Sequence, residues 1–347
     1  MRQLTYVAPH KVEWWEVPAP KVEDGRDAIV QPVAVTRCDL DYFIANGATG
    51  WPGPFALGHE IGGVVVDVGD RVHSFKPGDR VVVPFQISCG TCGNCQQGFT
   101  SNCQGVPFRS SYGMAPLSGV EYGGALSDRV RVPFADHMLV ACPDDVPLST
   151  AAGIADQASD GFQMIAPHLA ANPGARVLIV GGIGQGIGLL VAQSARALEA
   201  GEVVYLDDDP ARLTVARTFG ITVIERTTYD GVAPGAPYPI TIDANISPEG
   251  LALAIRSTQH GGICHRAYGD MAPISEVPLQ DMYSIGLSLH IARVHARHVM
   301  PTVLKHVQRG DLHPDHVITK EVTFGNAAEA IFDPTIKVLF VNDSIEK

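Results

Sequence analysis

No stretch of this chain is dense in basic residues, and acids outnumber bases 37 to 25, for a net charge of −12. A surface of that sign repels phosphate backbones and anionic lipid, so nucleic acid and membrane surfaces are not expected partners. Met1 to Pro18 carries charges and prolines where a signal peptide needs an apolar stretch. Long apolar runs are also missing. The one charge-free segment, between Arg176 and Arg196, holds five glycines in its middle and reads poorly as a continuous membrane helix. There is no internal repeat and no low-complexity linker. Charged residues make up only 18% of the 347 and hydrophobic ones 46%, which excludes disorder and suffices for two packed domains. Cysteine is sparse, seven in all, and four of the seven are clustered. In a reducing, cytoplasmic compartment such a cluster means metal more often than disulfide.

What the chain does have is turns, from 36 glycines and 25 prolines. Residues 1–148 read as short strands between turns, such as Asp27–Thr36, Ile61–Val68, Arg80–Pro84 and Ala125–Val132, and predict a β-rich, antiparallel domain. A helix is expected over Ser149–Ala171. From there to about residue 295 strand and helix signals alternate: strands at Arg176–Val180, Val203–Leu206, Ile221–Ile224, Pro239–Ile242, Gly262–Tyr268 and Ile285–Ile291, with helices at Leu189–Glu199, Ala211–Thr218 and Pro248–Thr258. That alternation calls for a parallel sheet with right-handed crossovers. A tail, 296–347, carries a helix at Val299–Gln308 and a strand at Ile336–Val341. Periodicity does not say which domain it joins.

The strongest motif is Cys89-Gly-Thr-Cys92-Gly-Asn-Cys95-Gln-Gln-Gly-Phe-Thr-Ser-Asn-Cys103. Four thiolates at this spacing close a tetrahedral zinc shell, which is structural because no position stays open. Two disulfides, four free thiols or an iron–sulfur cluster are the alternatives. The second motif follows Val180: Gly181-Gly182-Ile183-Gly184-Gln185-Gly186-Ile187-Gly188 opens the helix Leu189-Leu190-Val191-Ala192. Backbone N–H groups of such a turn can meet a pyrophosphate at the helix N-terminus, although the spacing departs from the strict dinucleotide fingerprint. Asp207, nineteen residues after Gly188 at a strand end, can accept both hydroxyls of an adenosine ribose. Asp208 and Asp209 add negative charge against a 2′-phosphate, so NAD is favoured over NADP. A solvated turn acid is the alternative for Asp207. A third signal is dispersed: Gly58-His59-Glu60-Ile61-Gly62-Gly63 lies 21 residues after Cys38, a pair that spacing alone does not separate from a packed His and a buried Cys.

Gly58-His59-Glu60-x-x-Gly63, the four-cysteine lobe and the later glycine turn, in that order over nearly the whole chain, resemble the zinc-containing medium-chain alcohol dehydrogenases. The resemblance implies an α/β architecture: a GroES-like β-rich catalytic domain (1–148, with the zinc lobe at 89–103), a doubly wound Rossmann domain (149–295), and a tail (296–347) returning to the catalytic domain. It implies two zincs per chain and NAD(H). One zinc would be catalytic, held by Cys38, His59 and Asp156, the residue after Ala151-Ala152-Gly153-Ile154-Ala155. Glu60 matches an acid beside that zinc, and Asp41 matches an acid that orients the histidine. Gly182, Gly184, Gly186, Ile187, Gly188, Asp207 and Arg212 match cofactor-lining positions. Phe85 matches a substrate-pocket position, with Trp51 nearby; core packing explains both aromatics as well. Cys142 and Cys264 are at no ligand position and read as buried strand cysteines. A homodimer or homotetramer acting on a small molecule is implied.

One departure bears on mechanism. The chain reads Cys38-Asp39-Leu40-Asp41-Tyr42-Phe43, where the family commonly has a hydroxyl at position 40 and often a histidine at position 43 to pass the substrate proton. The expected function is hydride transfer between NAD(H) and an apolar or aromatic alcohol or carbonyl compound, the proton moving through water or Asp39. A solvated loop acid is the alternative for Asp39. A reductase of iminium or conjugated C=C bonds is the first alternative, supported by Leu40. A non-catalytic protein binding dinucleotide and zinc is the second, which loss of Asp156 or Glu60 would have supported.

Overall fold

The computed structural model describes residues 1–182, 185–269 and 274–343. The chain divides into two compact units, Met1–Ser159 with His295–Lys347, and Asp160–Val294.

In the first unit, among the described residues, seven strands form the main sheet. The path runs Lys320–Thr323, Val338–Val341, Ala28–Thr36, Glu60–Val68, Arg80–Val83 and Val140–Ala141, with Val130–Val132 pairing Ala28–Thr36 off that path. Ala28–Thr36 pairs antiparallel with Glu60–Val68, and Thr36 stands opposite Glu60. That register brings the end of one strand, just before Cys38, beside His59. A core of Leu4, Val30, Val35, Ile61, Val81, Val83, Phe324 and Phe340 is buried beneath this sheet. Each such side chain contributes about 1.5–3 kcal/mol by leaving water. The tail joins this unit: Phe340 stands opposite Val35 in an antiparallel pair. Its apolar face had no other sheet face to identify it from sequence.

Two expected elements differ. The strand Ala125–Val132 is regular only over Val130–Val132. Before it, the Ser127 hydroxyl donates to Gly124 O (2.7 Å) and Arg129 O (3.0 Å), folding the chain into a turn. The helix expected over Ser149–Ala171 is broken. It runs as Leu148–Ala152, a 3₁₀ turn Gly153–Ala155, and Gln157–Ala171. Asp156 sits between at φ −145°, ψ −88°. Periodicity misses the break because apolar residues continue through it.

In the second unit, six strands among the described residues form one parallel sheet in the order Thr222–Glu225, Glu202–Asp207, Arg176–Val180, Tyr238–Asp243, Thr258–Arg266, Ser288–Ile291. Helices Ile187–Ala197, Pro210–Thr218 and Pro248–Arg256 cross over between them. The order reverses after Arg176–Val180, where an open α/β sheet leaves its ligand crevice. The expected strand Ile285–Ile291 begins as a helix, Leu279–Ile285, because Gly286 at φ 65° supplies a left-handed cap; the strand proper is Ser288–Ile291. Among the described residues no helix is long and apolar enough to cross a membrane.

Candidate active site and metal centres

Three elements of the first unit converge on one point. Cys38 is the N-cap of the helix Asp39–Ala45, His59 precedes the strand Glu60–Val68, and Asp156 occupies the helix break. One ligand atom from each lies within 4.8 Å of the others, and all three residues are buried. Asp41 joins two of them: its Oδ2 accepts from Cys38 N–H at 3.0 Å, and its Oδ1 is 3.1 Å from His59 Nδ1. The other imidazole nitrogen, Nε2, is thereby aimed at Asp156 Oδ2, 3.2 Å away. A carboxylate that fixes one ring nitrogen while the other faces the site is what a metal-ligating histidine requires.

The electrostatics favour a cation. Burial, then Asp156, Glu60, Asp39 and Asp41, push the Cys38 thiol well above its usual range. Burial would lower His59, but Asp41 and Asp156 outweigh it and raise it to about 10. A soft thiolate, an imidazole and a carboxylate around one point form a zinc-type donor set, three ligands of the four that a tetrahedral zinc takes. Ion binding there displaces the protons that this crowding otherwise retains.

Glu60 does not touch this cluster directly in the contacts seen. Its Oε2 is 2.7 Å from Lys337 Nζ and accepts from the Thr36 hydroxyl, while its Oε1 accepts from Gln157 N–H at 3.0 Å. Lys337 is fully buried and also donates to Gln157 Oε1 (2.5 Å) and Arg37 O (3.0 Å). Glu60 thus helps start the second half of the broken helix and positions Asp156. Lys337, Gln157 and Thr36 escape sequence reasoning, although a lysine inside Ile336-Lys337-Val338-Leu339-Phe340 was a visible anomaly in an apolar strand.

Phe85 lies beside the cluster, its ring centroid 5.5 Å from that of His59. Leu40 and Trp51 are half-buried against the core of the first unit. Asp39 is only 1% exposed and opens a helix, so it is not a solvated loop acid.

Cys89, Cys92, Cys95 and Cys103 form the other group whose sulfurs lie within 4.8 Å of one another. None of the seven cysteines is in a disulfide, and Cys92 Sγ is 3.9 Å from Cys103 Sγ, far from a disulfide length of about 2.05 Å. Backbone N–H groups of Cys89, Cys92, Gln104 and Gly105 point at the sulfurs at 3.3–3.4 Å. The backbone N–H of Cys95 first, then that of Gln104, holds Cys92 down to about 6, which favours the thiolate a metal needs. Cys142 follows the strand Val140–Ala141 and Cys264 lies within Thr258–Arg266; both are buried and outside either group.

In the second unit the glycine turn packs tightly. A Cβ on Gly182 would stand 2.0 Å from Asn245 Nδ2, and one on Gly181 would stand 2.2 Å from Asp207 Oδ2. Gly186, Ile187 and Gly188 open the helix Ile187–Ala197; Gly184 lies outside the described residues. Asp207 ends its strand as expected but is fully buried. Its carboxylate accepts from Tyr205 Oη (2.6 Å), the N–H groups of Asp208 (2.8 Å) and Asp209 (2.9 Å), and Arg212 Nε (2.9 Å) and Nη2 (2.7 Å). Sequence pattern does not reveal that saturation, because Tyr205 and Arg212 reach Asp207 through side-chain geometry.

Residues 24–144 match the alcohol dehydrogenase GroES-like domain. Medium chain reductase/dehydrogenase ucsI from Acremonium sp is 32% identical over 80% of this chain and 92% of its own length. The chain belongs to the zinc-containing medium-chain dehydrogenase/reductase family. It is an oxidoreductase. Zinc-type alcohol dehydrogenase B from Aspergillus flavus is 29% identical over 88% of this chain and 72% of its own. Among solved structures, alcohol dehydrogenase TADH from Thermus sp. ATN1 is similar at a TM-score of 0.88 and 27% identity, covering 99% of this chain and 100% of the other. Zinc-dependent chemistry on alcohols or carbonyl compounds follows from membership, and zinc and NAD(H) are the cofactors.

Proposed function

We propose that Cys38, His59 and Asp156 hold a catalytic zinc, that Cys89, Cys92, Cys95 and Cys103 hold a structural one, and that Gly182, Gly184, Gly186, Ile187, Gly188, Asp207 and Arg212 bind NAD(H). The observation that carries this reading is the buried Cys38–His59–Asp156 cluster with Asp41 fixed to two of its members. When bound, zinc supplies Lewis acidity toward a substrate oxygen and the nicotinamide supplies or takes the hydride. The chain's own residues do the rest. Asp41 keeps His59 in the ligating orientation, and Glu60 with Lys337 keeps the helix break that presents Asp156. Phe85 contributes an apolar wall beside His59, which favours an apolar or aromatic substrate; Leu40 and Trp51, packed against the core of the same unit, are proposed to border it.

The proton path lacks the hydroxyl expected at position 40. Leu40 neither donates nor accepts, so Asp39 or water carries the proton. This same feature favours, as second reading, a reductase of iminium or conjugated C=C bonds. For the dinucleotide, Asp207 would take the ribose hydroxyls if Arg212 gives way, and the carboxylate of Asp208, with a side chain 45% exposed, adds negative charge that disfavours the 2′-phosphate of NADP. Assembly as a homodimer or homotetramer is part of the proposal, supported by a helix, Leu279–Ile285, that buries no residue and exposes Leu279 and Tyr283. Seven cysteines with no disulfide between them fit a cytoplasmic location. NADH oxidation and NAD reduction over a panel of alcohols, aldehydes, enals and cyclic imines test the function. Turnover confined to imines or enals would replace the first reading with the second, and no turnover on any member would remove both.

A further inference from the structure

The second unit contains a group of imidazoles that the proposed chemistry does not use. His265 and His290 are register partners on the adjacent parallel strands Thr258–Arg266 and Ser288–Ile291, so both side chains leave the same sheet face. Their rings stack at 6.1 Å with 22° between planes. His168, on the helix Gln157–Ala171, closes the group at centroid distances of 5.4 Å from His265 and 4.9 Å from His290. His168 Nε2 stands 3.1 Å from His265 Nδ1. His168 and His265 are each 6% exposed, while His290 is exposed on the edge strand of the sheet.

Two nitrogens bound to one tetrahedral ion at about 2.0–2.1 Å stand about 3.3 Å apart, and the ring centroids of such ligands stand about 5 Å apart. The observed separations lie close to both. We propose that His168, His265 and His290 bind a divalent transition ion of the zinc or cobalt class, with solvent at the fourth position. Two of the ligands share a hydrogen bond at 3.1 Å and so are already at ligating separation, and the ion would take the place of the shared proton. The third is brought in by a turn of the exposed His290 ring, since the clusters whose donor atoms already converge within 4.8 Å among the described residues are the two built on cysteine.

The donor chemistry agrees. Burial, with His290 beside it, lowers His168 to about 4, and burial with both neighbours lowers His265 to about 3. Both rings are therefore neutral at pH 7 and retain a lone pair, the state that ligates a metal. Three imidazoles suit zinc, copper, nickel or cobalt and not the hard, oxygen-seeking cations. An ion there would tie the edge strand Ser288–Ile291 to the helix Gln157–Ala171, and so stabilise the outer part of the sheet by mass action.

The test uses the full-length protein with its resident metals, freed of excess ion. Co²⁺ titration followed by visible d–d absorption, with metal analysis, compares wild type with His290→Ala. Wild type should take up one more ion per chain than the variant, and excess Zn²⁺ should raise the Tm of wild type alone. Turnover of the two proteins should be equal. Reading the difference between the two proteins keeps the result independent of how many zincs the cysteine clusters carry. Equal uptake by wild type and His290→Ala would overturn the proposal. His168→Gln, which removes a buried ligand, should behave as His290→Ala does; should it fail to fold, the exposed His290 still decides.

Discussion

Lys337 Nζ lies 2.7 Å from Glu60 Oε2, with neither side chain more than 1% exposed. The pair links the C-terminal strand to the residue after His59. Burial alone would push the Glu60 carboxyl up, and it does so even against the nearby Lys337 ammonium. Removing one partner leaves an uncompensated buried charge, which costs about 3–5 kcal/mol. Lys337→Met should therefore lower stability by about that amount in denaturant titrations of zinc-loaded protein. Lys337→Met with Glu60→Gln should recover much of the loss. A single variant as stable as wild type would show that Glu60 is protonated and carries no charge to compensate.

The two cysteine-containing clusters should fail differently. Cys92→Ser opens a closed shell whose metal contributes to folding, so it should mainly lower stability. His59→Ala should abolish turnover and leave the fold largely intact. Metal analysis should give a catalytic and a structural zinc in wild type, with one lost in each variant. Exchanged phenotypes would reverse the assignment of the two sites.

Leu40→Thr tests the proton path. A hydroxyl at position 40 can take an alcohol proton directly, and such assistance is worth up to about 10²–10⁴-fold. If alcohols are the native substrates, their oxidation should hold or rise in the variant. If the substrate is an iminium or an enal, no gain should appear. Asp39→Asn, read by its pH–rate profile, separates the acid from water: an unchanged profile and rate would remove Asp39 from the path.

Asp207→Ser should weaken NAD binding by about 1–3 kcal/mol, the range for lost charge-assisted hydrogen bonds, and raise relative tolerance of NADP. It also strands Arg212, whose guanidinium is held by this carboxylate. A fall in stability should therefore accompany the loss of affinity. Wild-type preference for NADPH in paired kinetic measurements would contradict the role given to Asp207 and Asp208.

His137 gives a pH dependence whose sign is fixed by burial. Burial first, then Arg297, lowers it to about 4, and its Nε2 is 2.9 Å from the Ser88 hydroxyl. The unfolded chain takes up this proton from about pH 6.5 downward, but the folded protein resists it until about pH 4. Unfolding should thus become easier as pH falls through that window. His137→Gln should flatten the slope of stability against pH between the two values; an unaltered slope would assign it to other groups.

The four-cysteine cluster and the layout of the second unit were legible because their signals are local. Cys89 to Cys103 carries its own loop geometry, and Arg176–Val180 with the following glycines carries a strand, a turn and a helix start. Cys38, His59 and Asp156 were legible only through resemblance, since each is separated from the next by many residues of ordinary strand and turn. Trp51 and Leu40 were placed in a pocket on the same ground, and the contacts seen for them are with the core.

By itself the sequence determined what short-range physics encodes: alternation of strand and helix, four thiols spaced for one ion, glycines where a turn packs closely, and an acid at a strand end. Only the tertiary structure decided that the tail pairs with Ala28–Thr36, that the helix breaks at Asp156, that Lys337 neutralises Glu60, and that Tyr205 and Arg212 fill the carboxylate of Asp207. The physical reason is that hydrogen bonds and buried charges between distant segments depend on register and burial. Neither quantity leaves a period in the sequence.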